Sequence, residues 1–193
     1  MIAGLRPKML IHGHITLTEN FTAEAVPGLL LALTELRDQV VAGLGRGMTL
    51  AALLDASYLP EVLREHPKAV VPYTVIRDHF VQRLHRQHTG YWQADGQGLE
   101  PVGAADRAAA FDLLAGGRPD RFAAAARTLL QRRDHALALE LLTAGLARHP
   151  DATELTGLRQ QVLYRLMERH QVQDPFRFLV YGEQAGVEIG PTR

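Results

Sequence analysis

The candidate chemistry of this chain rests on histidine. Lys8-Met9-Leu10-Ile11-His12-Gly13-His14 places two imidazoles around a glycine turn, directly after a short apolar run that reads as a strand over Met9 to Ile11. The carboxyl end of a buried strand is where an α/β metallohydrolase sets an imidazole ligand. A second group, His79, His85 and His88, falls in a helical stretch. At ~100° per residue His79 and His88 point about 180° apart, so a straight helix cannot bring both to one ion. A catalytic zinc site takes about three protein ligands and an open position, and the compact His-x-His-x-Asp-His run that customarily supplies them does not occur. The residues imply metal-assisted hydrolysis with most of the first coordination shell supplied elsewhere, as expected of the back half of an enzyme. Each group also has a plainer reading: an ordinary turn for His12 and His14, and a solvated histidine for His79, about 120° from the apolar stripe of its helix.

Composition narrows the field. The 193 residues suffice for one domain, or one and a fraction, with a substantial core. Twenty-one basic residues balance 21 acidic ones, and the arginines are scattered rather than massed, so no nucleic-acid or anionic-membrane partner is implied. The lack of cysteine excludes disulfides and thiolate metal sites without naming a compartment. Arg6, Pro7 and Lys8 interrupt the amino terminus where a secretory signal would be apolar, and no later run is long enough to span a bilayer. An export signal, if there is one, is expected upstream, and localisation stays open.

The elements that would position these residues are almost all helical. Pro27 suits a first helical turn, and Leu29, Leu30, Leu33, Leu36, Val40 and Leu44 form an apolar face ahead of a stop at Gly43 to Gly47. Thr49 reads as the cap of a short helix through Asp55, and Leu59-Pro60 and His66-Pro67 bracket another over Glu61 to Glu65. A longer helix is predicted from Pro72 to Gln87, with Tyr73, Ile76, Phe80 and Leu84 as its stripe and Gly90 as its end. The aromatic, glycine-rich segment Gly90 to Gly98, with Tyr91 and Trp92 as packing anchors, separates two helical blocks. Four helices are predicted beyond it: Ala104 to Leu114, Arg121 to Gln131, Asp134 to Ala147 and Ala152 to Arg169. Arg127, Arg132 and Arg133 read as a solvated face, with Asp134 capping the helix that follows. The last two helices, with Ala136, Ala138, Ala144 and Gly145 among leucines, resemble one tetratricopeptide-type hairpin, and one hairpin is not a solenoid.

These motifs carry a resemblance through their order. A strand-borne Gly13-His14, a helical spacer, Arg77-Asp78-His79, the aromatic Gly90-Tyr91-Trp92, the Asp95-Gly96 turn and a hairpin ending in Pro150-Asp151 together resemble the carboxyl-terminal half of the alkylsulfatase branch of the metallo-β-lactamase superfamily. The likeness covers roughly residues 5 to 185. It implies a mainly α fold: residues 1–20 as the terminal edge of the hydrolase domain with one orphan strand, 21–185 as a helical dimerisation domain, and 186–193 as a tail. It implies that His14 ligates the second zinc ion of a binuclear site, and that His79 lies near the sulfate ester and assists departure of the leaving group. His12 matches no ligand. The pattern departs from the family's where Phe80, not Asn, follows His79, and where an insertion replaces the Trp-Phe-Asp-Gly-Asn-Pro run.

The leading expectation is therefore a dimerisation module of an alkylsulfatase-type zinc hydrolase, from a truncated gene product or a split enzyme. Alone it would be inactive and would bind zinc weakly. It would pair with a second copy and with a metallohydrolase domain in cis or trans. The competing reading, a stand-alone helical scaffold gripping a peptide or protein, leaves the apolar Leu5 to Ile11 run without a sheet to join, which is an aggregation liability. A small metalloenzyme using His12, His14, Glu19 or Asp38 would need ligands to converge from segments that show no ligand spacing.

Overall fold

The computed structural model describes residues 20–90, 102–171 and 174–187, and every regular element among them is helical. The fold is mainly α, as expected. The strand expected at Met9 to Ile11 lies outside the described residues, as does most of the Gly90 to Gly98 connection. Two compact units divide the chain between Gly98 and Leu99, and the described helices of each enclose their own core.

The first unit holds α1 (Val26–Gly45), α2 (Leu50–Asp55) and α3 (Val70–Thr89), with 3-10 turns at Ala23–Ala25, Glu61–Arg64 and Pro67–Ala69. Thr49 caps α2 as expected, its hydroxyl accepting from the Ala52 N–H at 3.2 Å. The helix expected at Glu61 to Glu65 tightens to a 3-10 turn, since Pro60 and Pro67 leave too few residues between them for α-helical bonding. α1 and α3 pack together over Leu36, Val40, Leu53, Leu63, Tyr73 and Val81. The buried line of α1 runs through Gly28, Ala32, Leu36 and Val40, while Leu30, expected inside, is 55 % exposed. Backbone proximity explains the rotation. A Cβ on Gly28 would lie 2.3 Å from the Cβ of His66, so only the small-residue face of α1 can approach that segment.

α3 also turns a different face inward from its leucine-aromatic stripe. Tyr73 and Leu84 are buried as expected, but Ile76 and Phe80 are only half-buried, and Arg77, Asp78, Val81 and His85 take their place. Two ionised side chains can be buried there because they neutralise each other: Arg77 Nε donates to Asp78 Oδ1 at 2.8 Å, with the side chains 5 % and 7 % exposed. A periodicity count treats charge as outside and misses the pair.

The second unit holds α4 (Ala104–Ala115), α5 (Pro119–Gln131), α6 (His135–Arg148), α7 (Thr153–His170) and α8 (Pro175–Gln184). α6 is central, packing against α4, α5 and α7, while α7 also carries α8. Phe122, Leu142, Leu155, Val162 and Leu166 fill the core among Ala123, Ala126 and Ala138. Gly116 and Gly117, at φ 66° and 68°, turn the chain out of α4 in a conformation that L side chains resist. Gly145 serves a different end: a Cβ there would meet the Phe122 ring at 2.9 Å and Leu155 at 3.0 Å, so its bareness lets α6 seat against both neighbours. α8 was not among the predicted helices. Its start signal is nevertheless local, with Asp174 Oδ1 accepting from the Arg177 N–H at 3.0 Å and Pro175 in the first turn.

Candidate functional site

His12, His14, Glu19, Tyr91, Trp92 and the Asp95-Gly96 turn lie outside the described residues. His79 is exposed on α3, one position beyond the buried Arg77–Asp78 pair. His85, on the same helix, is buried and lies 3.4 Å from the Thr89 hydroxyl, while His88 is exposed with its Nδ1 2.9 Å from the Leu84 carbonyl oxygen. The three histidines of α3 thus do not converge, in keeping with their angular spacing. Asp38 is exposed and paired with its neighbour Arg37 at 2.7 Å. No group of three or more possible metal ligands occurs among the described residues.

Hydrogen bonds fix the polar frame of the first unit. The Tyr58 hydroxyl donates to Glu35 of α1, which with partial burial raises its pKa to about 12. Its backbone carbonyl accepts from Tyr73 at 2.7 Å, and burial lifts the Tyr73 phenol above the ordinary tyrosine range. These tyrosines stay neutral over the whole physiological range. They therefore act as struts between α1, α3 and the 57–60 connection.

In the second unit Asp112 of α4 is the clasp. Its Oδ1 lies 2.7 Å from His149 Nε2 and its Oδ2 3.4 Å from Arg148 Nε, at the carboxyl end of α6. The His149 bond first, and Arg148 second, hold the Asp112 carboxyl below the usual range. His149 also stands edge-on to the Phe122 ring, with centroids 6.0 Å apart. Arg127 is exposed, as expected, and pairs at the surface with Glu154 of α7.

What the described residues leave uncovered is apolar. Leu30 and Leu31 project from α1, while on α4 Leu113 and Leu114 are 82 % and 80 % exposed, and Val102 is exposed just ahead of the opposite end of that helix. Leu137, Tyr164 and Phe176 add isolated positions on α6, α7 and α8. The expectation of apolar helices available to a second copy named no surface. The signal was present in α4, whose twelve residues hold three charges against six alanines, two leucines and a phenylalanine on the remaining sides.

Among the described residues no helix is long and apolar enough to cross a membrane. A family model described as alkyl sulfatase dimerisation matches residues 49–182. That span begins at the cap of α2 and ends within α8, so it takes in helices of both units. Neither a curated protein nor a solved structure matches the chain.

Proposed function

The chain belongs to the alkyl sulfatase dimerisation family, and from that premise we propose that it is the self-associating part of a zinc-dependent alkyl sulfate hydrolase of the metallo-β-lactamase superfamily. The family match over 49–182 carries the reading. Its support in the structure is the set of large apolar side chains left on helix surfaces after both cores are filled. A monomer gains nothing from keeping leucines four-fifths in water.

On this reading a metallo-β-lactamase-type domain, in the same chain or another, supplies the remaining zinc ligands, and His14 contributes one to the second ion of a binuclear site. Bound zinc would supply an activated water and a counter-charge for the sulfate. The residues of α3 would then meet the hydrolase domain: His79 as the group near the sulfate ester that helps the leaving oxygen depart, and Arg77–Asp78 as the pair that fixes the helix behind it. The α6–α7 pair, closed by Gly145 against Phe122 and Leu155, would be a tetratricopeptide-type hairpin serving as the rigid base of the interface.

Sedimentation equilibrium tests the association directly. A mass of twice 21.3 kDa at micromolar concentration is expected, and a strict monomer would sink the reading. The hydrolase context is tested by mixing the chain with a separately produced metallohydrolase half and assaying alkyl sulfate cleavage. In the assembled enzyme His79→Gln should cut kcat by about 100-fold or more with the dimer intact, as expected for loss of a general acid. If complex forms and the variant cleaves at the wild-type rate, His79 has no part in the reaction.

A further inference from the structure

We infer that two copies of this chain associate through the outer face of α4, packed antiparallel on itself about a two-fold axis near Ala109. The inference rests on the dimerisation reading and names the surface that performs it.

Each charge on α4 is engaged within its own chain. Asp106 turns back to accept from the Gly103 N–H at 3.1 Å, and Arg107 donates to the Val102 carbonyl at 2.9 Å and pairs with Glu140 at 3.3 Å. Asp112 is held by His149 and Arg148. With Ala108 buried and Phe111 and Ala115 packed on the core, the arc left outward carries Ala105, Ala109, Ala110, Leu113 and Leu114, all exposed. Asp106, the one charge on that arc, sits at its amino-terminal end.

The arrangement of sizes on the arc selects the occupant. Alanines fill its first half, apart from Asp106 turned back on the Gly103 N–H, and two leucines its last, about 12 Å further along the axis. A two-fold contact requires a patch complementary to its own reversed image. Here the reversed image sets Leu113 and Leu114 of one copy over Ala105 and the stem of the turned-back Asp106 in the other, with Ala109 facing its own counterpart. Alanines at the centre allow the helix axes to approach to about 8 Å, the close end of the packing range. A hydrolase domain would have no need of this end-to-end asymmetry. The α1 leucines lack it, and they fall outside the 49–182 match that includes α4.

The test is the mass of the full chain by sedimentation equilibrium, with circular dichroism melting as the check on folding. Leu113→Glu with Leu114→Glu should raise the dimer dissociation constant by about 100-fold or more, because each substitution enters the interface twice. Helix content should not change, since both side chains stand in solvent. Leu30→Glu with Leu31→Glu should leave the dimer intact. The chain lacks cysteine, so Ala109→Cys offers a single thiol, and copper-phenanthroline oxidation should link it to its counterpart. Ala105→Cys mixed with Leu113→Cys should link across copies as well. A dimer undisturbed by the α4 glutamates overturns this surface while sparing the family reading. A dimer of the Ala109→Cys chain that does not cross-link overturns the antiparallel arrangement. A monomeric wild type would remove the dimerisation reading itself.

Discussion

Tyr58 shows how a single hydroxyl ties two helices and leaves a pH signature. Its folded pKa of about 12 stands above the ordinary 10.0, so folding favours the protonated phenol. That contribution is complete below pH 10 and is lost as pH rises toward 12. Tyr58→Phe should therefore cost about 1 kcal/mol at pH 8, the usual size of such a bond, and should flatten the alkaline limb of stability measured in urea. Asp112 has the opposite sign. Its carboxyl is held below 3.8 by His149 and Arg148, so its contribution is present at neutral pH and disappears as pH falls through the depressed value. Asp112→Asn should melt below wild type at pH 7, and the two should converge once pH has fallen below the depressed value of the carboxyl. A gap that persists in acid would mean that the carboxylate's charge is not what docks α4. His135 is shifted down chiefly by burial, and then by Arg169, Arg165 and Arg133. Its protonation therefore opposes folding as pH drops below 6.5, and His135→Gln should remove that part of the acid slope.

At the scale of elements, the glycines separate packing from helix propensity. Gly157, in α7, has nothing within 4 Å of a would-be Cβ, whereas Gly145 faces the buried Phe122 ring and Leu155, and Gly28 faces His66 at 2.3 Å. Gly157→Ala should thus raise stability by about 0.5–1 kcal/mol from propensity alone. Gly145→Ala sets that gain against about 1–3 kcal/mol of overpacking and should lower it, and Gly28→Ala should lower it further. Equal effects from all three in thermal melts would refute the close approaches. α8 hangs on its cap: Asp174 is buried and its Oδ1 holds the Arg177 N–H. Asp174→Ala should cost about 1 kcal/mol, seen first as faster hydrogen exchange in Pro175–Gln184. The cap was legible in Asp174-Pro175 and an apolar face in the residues after it, although no helix was expected there. α8 forms because α7 offers it a face.

For the whole molecule, each unit has its own core, so damage should stay local. Leu142→Ala empties a fully buried site at the centre of α6 and should cost about 2–5 kcal/mol. Exchange should accelerate across α4 to α8 while α1 and α3 stay protected. Self-association should also make the melting temperature of the wild type climb with protein concentration, and the Leu113→Glu, Leu114→Glu chain should lose that dependence. Much of this protein was determined by sequence alone: helices from α1 to α7, the Thr49 cap and the Gly90 stop, because apolar spacing and capping are settled within a turn or two of the chain. The order of short motifs along it sufficed to reach the family. Tertiary structure alone decided which face each helix buries. Gly28 and Gly145 admit neighbouring side chains where a Cβ would collide, Arg77 and Asp78 go inside as an ion pair, and Leu113 and Leu114 are left outside because α6 takes the other side of α4. Those outcomes depend on partners distant in sequence, and local periodicity carries no record of them.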